Sequence, residues 1–541
     1  METTHDELIA ETIEPSKPFP LQAPVRLVQT AVTLSIIADW LFYDKPLGIS
    51  LLLFVLLVVG GLWWNGRHEA ITLSKRYLWL LLPLGFFASM AMLRTNSTLT
   101  TLNVLAVMCL LAYLAFFYAA GRVENLNLFG YALLPLRVFG GSLALSAPVI
   151  RPTVEEIRLN GNGRRRLLPL LRGLLFALPV LLVFTVLLSS ADLIFADYVE
   201  DLFSLDIFDH VAEWIWRGTI IVMLSVVLAG GLALALTRRA EDEEQSELER
   251  GLTKLPNYFS IGFIETSTIL VLVNMLFAAF VGIQFTYLFG GAANVTEAGY
   301  TFADYARRGF FELLTVAILT MLLILGLNWL SRRENKGQIH LFNGLGSVLV
   351  GLVLVMLVSA WRRMTLYEAA FGYTELRLIV YVCMAWLAVT LVWFLLTLWV
   401  RPDRFAIGAL LAVMGFVATL NLINPDAFIA RQNLDRYMRM GDLDVAYLTS
   451  LSDDAVPQLV RGLNLTVGDA EEQLSAFCIS SWTFDYEDLD CYGTPYELIW
   501  TELDGRYQSL ATDTTWQRWT SFNVARWQAW DRLGFLAEGI E

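Results

Sequence analysis

Eleven separate stretches of this chain are long and apolar enough to cross a bilayer, and that repetition limits the folds open to it more than any other feature. About 20 mostly apolar residues are needed to span a hydrocarbon core as a helix. Stretches of roughly that kind lie at 27–43, 47–64, 77–93, 99–120, 167–189, 215–236, 259–281, 309–330, 341–361, 377–399 and 405–423. Runs such as 51–64, 104–120 and 345–361 suit only lipid or another apolar helix. The expected fold class is all-α: a polytopic transmembrane helical bundle of about 11 spans with a mainly helical extracytoplasmic C-terminal domain. A further apolar stretch, 126–149, contains Pro135, Arg137 and Gly140-Gly141. Those residues break helices, so it reads as an interfacial or re-entrant segment.

Composition agrees with a membrane protein, because 56% of the residues are hydrophobic and only 17% charged, against about 25% charged in soluble domains. The formal charge of −14 is concentrated beyond residue 423. From Asn424 to Glu541 there are 20 Asp and Glu against 8 Lys and Arg, a balance of −12. Three regions follow: a disordered cytoplasmic N-terminus over 1–26, a bundle over 27–423, and a soluble, mainly helical module over 424–541. The acidity of the last argues against nucleic acid or anionic lipid as its partner. Residues 1–24 lack the basic start and small-residue cleavage site of a secretory signal.

Lysine and arginine set orientation, since loops rich in them stay in the cytoplasm. With the N-terminus inside, the cytoplasmic segments collect 22 of the 38 Lys and Arg, including Arg151, Arg158, Arg164, Arg165, Arg166 and Arg172. An odd number of spans then brings the tail out on the far side of the membrane. Cys478 and Cys491 both fall in that tail, where oxidising conditions would let them pair. The alternative is two unpaired thiols in a helical domain.

Marks of catalysis are missing. His5, His68, His210 and His340 fall in separate segments with no zinc-binding spacing. Gly161-Asn162-Gly163 precedes three arginines without phosphate-loop spacing, and no GxSxG or kinase pattern occurs. The expectation is a non-enzymatic protein with no catalytic residues, metal or cofactor. Asp485-Tyr486-Glu487-Asp488-Leu489-Asp490 lacks the glycine turn of a calcium loop and reads as a solvated acidic loop. The charged run in loop 237–258 reads as a solvated helical extension or a docking site for a protein partner. Trp516, Trp519, Phe522, Trp527, Trp530 and Leu533 fall at spacings near three and four. They read as one helical face, either a core stripe or a platform for glycan or membrane.

Ionisable groups within lipid cost about 2.5–3.5 kcal/mol each at mid-bilayer, so they are the candidates for function. Asp39 lies near the outer end of the first span, Glu265 about two turns into the seventh, and Glu312 at the outer start of the eighth. Asn274, nine residues beyond Glu265, points to the opposite side of the same helix. Each acid is either a hydrogen-bonded end residue or part of a proton or cation relay. Asp304, Arg307, Arg308 and Glu312 form a second set, with opposite charges at i,i+3 and i,i+4. They read as a salt-bridge ladder anchoring an outer loop or as an extracytoplasmic site, with Arg362, Arg363 and Glu368 of the next outer loop as neighbours.

The stretch Gly299-Tyr300-Thr301-Phe302-Ala303-Asp304-Tyr305-Ala306-Arg307-Arg308-Gly309-Phe310-Phe311-Glu312-Leu313 resembles a known pattern. So do Ala38-Asp39-Trp40-Leu41-Phe42-Tyr43 with Pro46-Leu47-Gly48, and Asn424-Pro425-Asp426-Ala427-Phe428-Ile429-Ala430-Arg431. Together they resemble the bacterial domain-of-unknown-function family 4173, close to family 4153. Leu448-Thr449-Ser450-Leu451-Ser452-Asp453-Asp454-Ala455-Val456-Pro457 and Phe522-Asn523-Val524-Ala525-Arg526 fit as well. The resemblance implies a multi-pass inner-membrane protein inherited as one unit, with no ligand or reaction attached.

Two functions from different classes fit. One is a scaffold or sensor component, with lipid around it and a protein partner at the outer domain or loop 237–258. The other is a proton- or cation-coupled secondary transporter, suggested by Pro83 and Pro179 within apolar stretches.

Overall fold

The computed structural model describes residues 21, 23–71, 75–119, 126–160, 184, 207–237, 261–288, 310–331, 333, 335–401, 404–441, 443–466 and 494–538. Among these the chain is helical, with one isolated bridge between Ile261 and Ser331 and no strand. The bundle comprises α1 (Pro24–Phe42), α2 (Ile49–His68), a 3-10 turn (Lys75–Leu80) leading into α3 (Leu81–Leu93), and α4 (Ser97–Phe117). It continues with α5 (Leu128–Asn160), α6 (Ile207–Thr237), α7 (Phe263–Leu288), α8 (Phe310–Leu330), α9 (Lys336–Phe371), α10 (Glu375–Val400) and α11 (Phe405–Ile423).

Ten described helices are long and apolar enough to cross a membrane, and Tyr77–Leu93 is a shorter apolar pass. Their outward faces are apolar: Leu82 is 77% exposed, and Met108, Ile264 and Leu272 are also exposed. Only lipid makes such surfaces comfortable. Exposed tryptophans ring both ends, with Trp40, Trp214 and Trp216 at one and Trp63, Trp64, Trp329 and Trp399 at the other. That is the pattern of side chains anchored at the two bilayer surfaces. The protein is a multi-pass membrane protein.

Helix direction follows from contacts at the turns. Tail residues touch the chain between α1 and α2, between α3 and α4, and between α9 and α10, while α11 runs directly into the tail at Asn424. Those connections share one end of the bundle, the tail end. At the opposite end, the Ala23 amide donates to Glu69 (3.0 Å), joining the start of α1 to the residue after α2. Passes α1 to α11 alternate between these ends, so α1 begins and α11 finishes on opposite sides.

The set of passes differs from expectation at one place. Segment 126–149 is not broken: α5 is a continuous helix from Leu128 to Asn160 despite Pro135, Pro148 and Pro152 inside it, and Leu128–Thr153 is long and apolar enough to cross. Pro135 has no N–H to offer the Tyr131 carbonyl, and the Tyr113 hydroxyl of α4 donates to that oxygen instead (2.9 Å). The glycines serve packing. A Cβ on Gly141 would press into Leu234, and one on Gly230 would overlap the Ser142 backbone, so α5 and α6 meet at small residues.

Tyr131 sits by the end of α4, whereas Arg217 of α6 sits by the end of α1. Helices α5 and α6 are therefore antiparallel, and Asn160 and Ile207 both lie at the tail end. Stretch 167–189, expected to span, falls outside the described residues apart from Phe184. Arg151 and Arg158 lie in the tail-end half of α5. Two of the 22 cations credited to the opposite side thus lose that placement.

Packing divides the bundle. Leu27, Val55, Leu84, Phe87, Leu110 and Leu236 belong to one buried cluster drawn from α1–α6. Leu270, Ile324, Leu349, Val353 and Leu391 form another from α7–α10. Helix α11 joins them, with Ala406 and Val417 in the first cluster and Phe405 and Ala409 in the second.

The tail folds as α12 (Pro425–Met440), α13 (Val445–Thr449), a 3-10 turn (Asp453–Ala455), α14 (Val456–Thr466), α15 (Pro495–Thr512), two 3-10 turns (Thr515–Gln517 and Trp519–Ser521) and α16 (Val524–Glu538). Ile429, Leu434, Leu448, Leu459, Ile499, Leu503 and Leu533 build its core, and Leu378 of α10 joins them. The aromatic series does not form one helical face. Asn523 accepts from Arg526 N (3.2 Å) and opens a new helix, which cuts the register. Trp516 and Leu533 are buried, whereas Trp519, Phe522 and Trp527 are exposed.

Candidate functional site at the junction of bundle and tail

Three bundle turns are gripped by the tail. At the first, the Phe522 carbonyl accepts from Ile49 N at the start of α2 (3.0 Å). A Cβ on Gly48 would collide with the Ser521 and Phe522 backbone, so only glycine permits this approach. At the second, Asp454 accepts from Thr95 N (2.7 Å), Thr95 Oγ1 (2.9 Å) and Asn96 N (3.3 Å) between α3 and α4. Asn523 donates to the carbonyls of Ala91 (3.1 Å) and Arg94 (2.9 Å) in the same place. At the third, the Asn433 amide pairs with both backbone groups of Tyr373, each at 2.8 Å, beside Gly372 with its φ of 74°. Turns leave backbone groups without helical partners, and these tail side chains supply them.

Asn96 is the centre of the second turn. Its carbonyl caps α4 by accepting from Leu99 N (2.9 Å), while its amide donates to both oxygens of Asp426 (3.0 Å each) and to Glu375 (3.3 Å). Three helix N-termini meet here: that of α4, that of α10 with Glu375 in its first turn, and that of α12 with Asp426 in its first turn. The positive ends of helix dipoles favour carboxylates in that position. Asp426 also accepts from Ser452 N (3.1 Å) and from the Ser452 hydroxyl.

The opposite charge sits where a helix ends. Arg94 donates to the Asn421 carbonyl in the last turn of α11 (3.0 and 2.8 Å) and approaches Asp454 at 3.5 Å. Just below, Asn103 and Asn421 exchange reciprocal amide hydrogen bonds (2.8 Å each), fully buried between α4 and α11. Asn424 adopts the left-handed backbone (φ 57°) that lets α11 turn into α12, with Pro425 in the first turn of the new helix. Tyr447 completes the site: its hydroxyl oxygen accepts from Glu375 N (2.7 Å), and burial with the nearby Glu375 and Asp426 charges pushes its pKa up to about 12.

The acids singled out from the sequence are not gathered into one site. Asp39 is ion-paired with Arg217 of α6 (2.6 Å), and the guanidinium also lies over the Tyr43 ring (4.3 Å). Glu265 lies in the first turn of α7 because the helix begins at Phe263, not four residues earlier, and its exposed carboxylate accepts from Gly262 N (2.9 Å). It is a helix cap and not a mid-bilayer acid. Asn274 is buried and donates to the Leu270 and Leu345 carbonyls, as a residue facing away from Glu265 should. Glu312 is exposed in the first turn of α8. Asp304, Arg307, Arg308, Cys478 and Cys491 lie outside the described residues, as does loop 237–258 beyond Thr237. Arg362, Arg363 and Glu368 belong to α9, which continues to Phe371, and not to a loop. Among the described residues no group of three or more His, Cys, Asp or Glu could hold a metal ion.

Arg94, Thr95, Asn96, Asn103 and Arg217 escaped the sequence reading. Only Asn96 left a local signal, an amide directly before the helix that it caps.

A family model described as a domain of unknown function, DUF4153, matches residues 81–462. The chain belongs to this family. No curated protein and no solved structure matches it. The DUF4153 match runs from α3 through most of α14, so it holds Arg94, Asn96, Glu375, Asp426 and Asp454, and leaves out Gly48, Phe522 and Asn523. The stretches that carried the resemblance around 48, 426, 454 and 523 lie far apart in the chain and converge on this one junction.

Proposed function

We propose that this DUF4153 protein is a non-enzymatic envelope scaffold or sensor component of a bacterial inner membrane. Its tail meets a protein partner, and the bundle carries the tail's position to the loops at the other end, including 237–258. The three-turn grip is the observation that supports this reading. A tail held by Asp454, Asn433 and Phe522 cannot shift without moving the N-termini of α2, α4 and α10, and those helices run the depth of the bundle. In the test, the full-length protein is gently cross-linked in its own membrane and purified. A protein partner should co-purify and be lost in Asp454→Asn at unchanged expression. A bound small molecule with no protein partner would overturn the proposal in favour of a proton- or cation-coupled transporter.

The tail is assigned to the outer face. Arg67, Lys336, Arg401 and Arg404 border turns at the opposite end, and such cations favour the cytoplasm. An engineered cysteine at Ser509, exposed on α15, should react with a membrane-impermeant thiol reagent in intact cells with a permeabilised outer layer. Labelling only after the inner membrane is opened would place the tail inside.

A further inference from the structure

Helix α1 shows lipid an apolar stripe of Val32, Ile36 and Trp40, each four residues from the next, ending at the tail side of the bundle. The stripe does not stop with the helix. Trp519, 60% exposed in the tail, packs its ring against Trp40 with centroids 5.6 Å apart. Phe522, also exposed, is fixed at the same level because its carbonyl holds Ile49 N at the first turn of α2. The tail therefore carries two large aromatic side chains at the border of the spans, continuous with a face that already meets lipid.

Cations edge this aromatic surface. The Lys45 ammonium donates to the Trp40 carbonyl and lies 4.8 Å from the Trp40 ring centroid. Burial pushes the Lys45 pKa down, helped by the positive charges of Arg518 and Arg217, while Asp39 opposes the change. Arg518, next to Trp519, is exposed. The tail as a whole is acidic, and this edge carries cations and acids together, with Lys45 next to Asp44 and Arg518 in electrostatic reach of Asp513.

We propose that Trp519 and Phe522 are buried at the headgroup–acyl boundary of the bilayer, with Lys45 and Arg518 facing phospholipid phosphates, so that this edge of the tail rests on the membrane. Aromatic rings with cations alongside suit that zone because it offers an apolar side and a wet, anionic side within a few ångströms. The tail would then be held from two directions, by the bundle turns and by lipid.

The full-length protein, labelled with 5-fluorotryptophan and placed in nanodiscs of phosphatidylcholine and phosphatidylglycerol, provides the test. Trp519→Phe and, separately, Trp519→Tyr identify the fluorine resonance by its loss, and Trp40→Phe identifies the lipid-facing reference. A doxyl label near the headgroup end of the acyl chain should broaden the Trp519 resonance several-fold more than a soluble gadolinium chelate does, as it should for Trp40. Broadening of Trp519 mainly by the chelate, with Trp40 still answering to the lipid label, would overturn the proposal.

Discussion

Between α5 and α6 the two backbones meet at Ser142 and Gly230, with Gly141 making room for Leu234; between tail and bundle the contact is made by Asp454, Asp426, Asn433 and Asn523, each directed at a turn. In lipid, burying apolar surface gives helices no advantage over facing acyl chains, so close approach and dispersion decide which pairs form. At the end of the bundle the situation reverses. Turn amides and carbonyls have no helical partners, and a group buried without one costs about 1–3 kcal/mol. Side chains that supply the missing partners can therefore fasten a domain with little apolar contact.

The same contrast separates the half-buried Asp39 from the buried Asp454. Asp39 is neutralised by a counter-ion, with Arg217 a quarter exposed. Asp454 is met mainly by neutral donors, with Arg94 at the margin. A counter-ion with access to water can be solvated if its partner is lost. Buried N–H groups cannot.

Asp454→Ala should have the largest effect. It leaves two backbone N–H groups and a hydroxyl unpaired, at an expected cost of about 3–5 kcal/mol. Limited proteolysis in detergent should cut the tail away while the bundle survives. Simultaneous loss of both would mean that junction and interior are one cooperative unit, and the contrast drawn between them would fail. Gly230→Ala should cost less, about 1–3 kcal/mol, by forcing α5 from α6. The signature is a lower unfolding temperature with the tail's protease resistance unchanged until the bundle melts. Asp39→Asn, which keeps one acceptor and lets Arg217 reach solvent, should cost about 1–2 kcal/mol. A cost above that of Asp454→Ala would reverse the ranking of counter-ion and neutral donors.

The smallest effect concerns alkali. The Tyr447 pKa is raised to about 12 against an ordinary value near 10, so the folded state favours the neutral phenol. Its contribution is complete below pH ~10 and is lost as pH rises towards ~12. Tail melting followed across that range should fall more steeply in the native protein than in Tyr447→Phe.

The helical fold and ten of the stretches expected to span were legible because lipid imposes a length and a composition that each segment must meet by itself. Asn424-Pro425 announced the start of the tail, since asparagine tolerates a left-handed backbone and proline suits the first turn of a helix. Segment 126–149 misled. Pro135 and Gly141 look like breaks until Tyr113 and Gly230, residues of other helices, are seen to supply a hydrogen bond and a fitting surface.

By itself, then, the sequence determined that this is a multi-pass helical membrane protein with an acidic tail, because hydropathy and charge belong to residues one at a time. Only the tertiary structure decided that α5 is a continuous helix packed within the bundle, that Asp39 pairs with Arg217, and that stretches near positions 48, 95, 373, 426, 454 and 523 build one junction. A buried donor or acceptor needs a partner in space, and nothing in its chain neighbours says where that partner will come from.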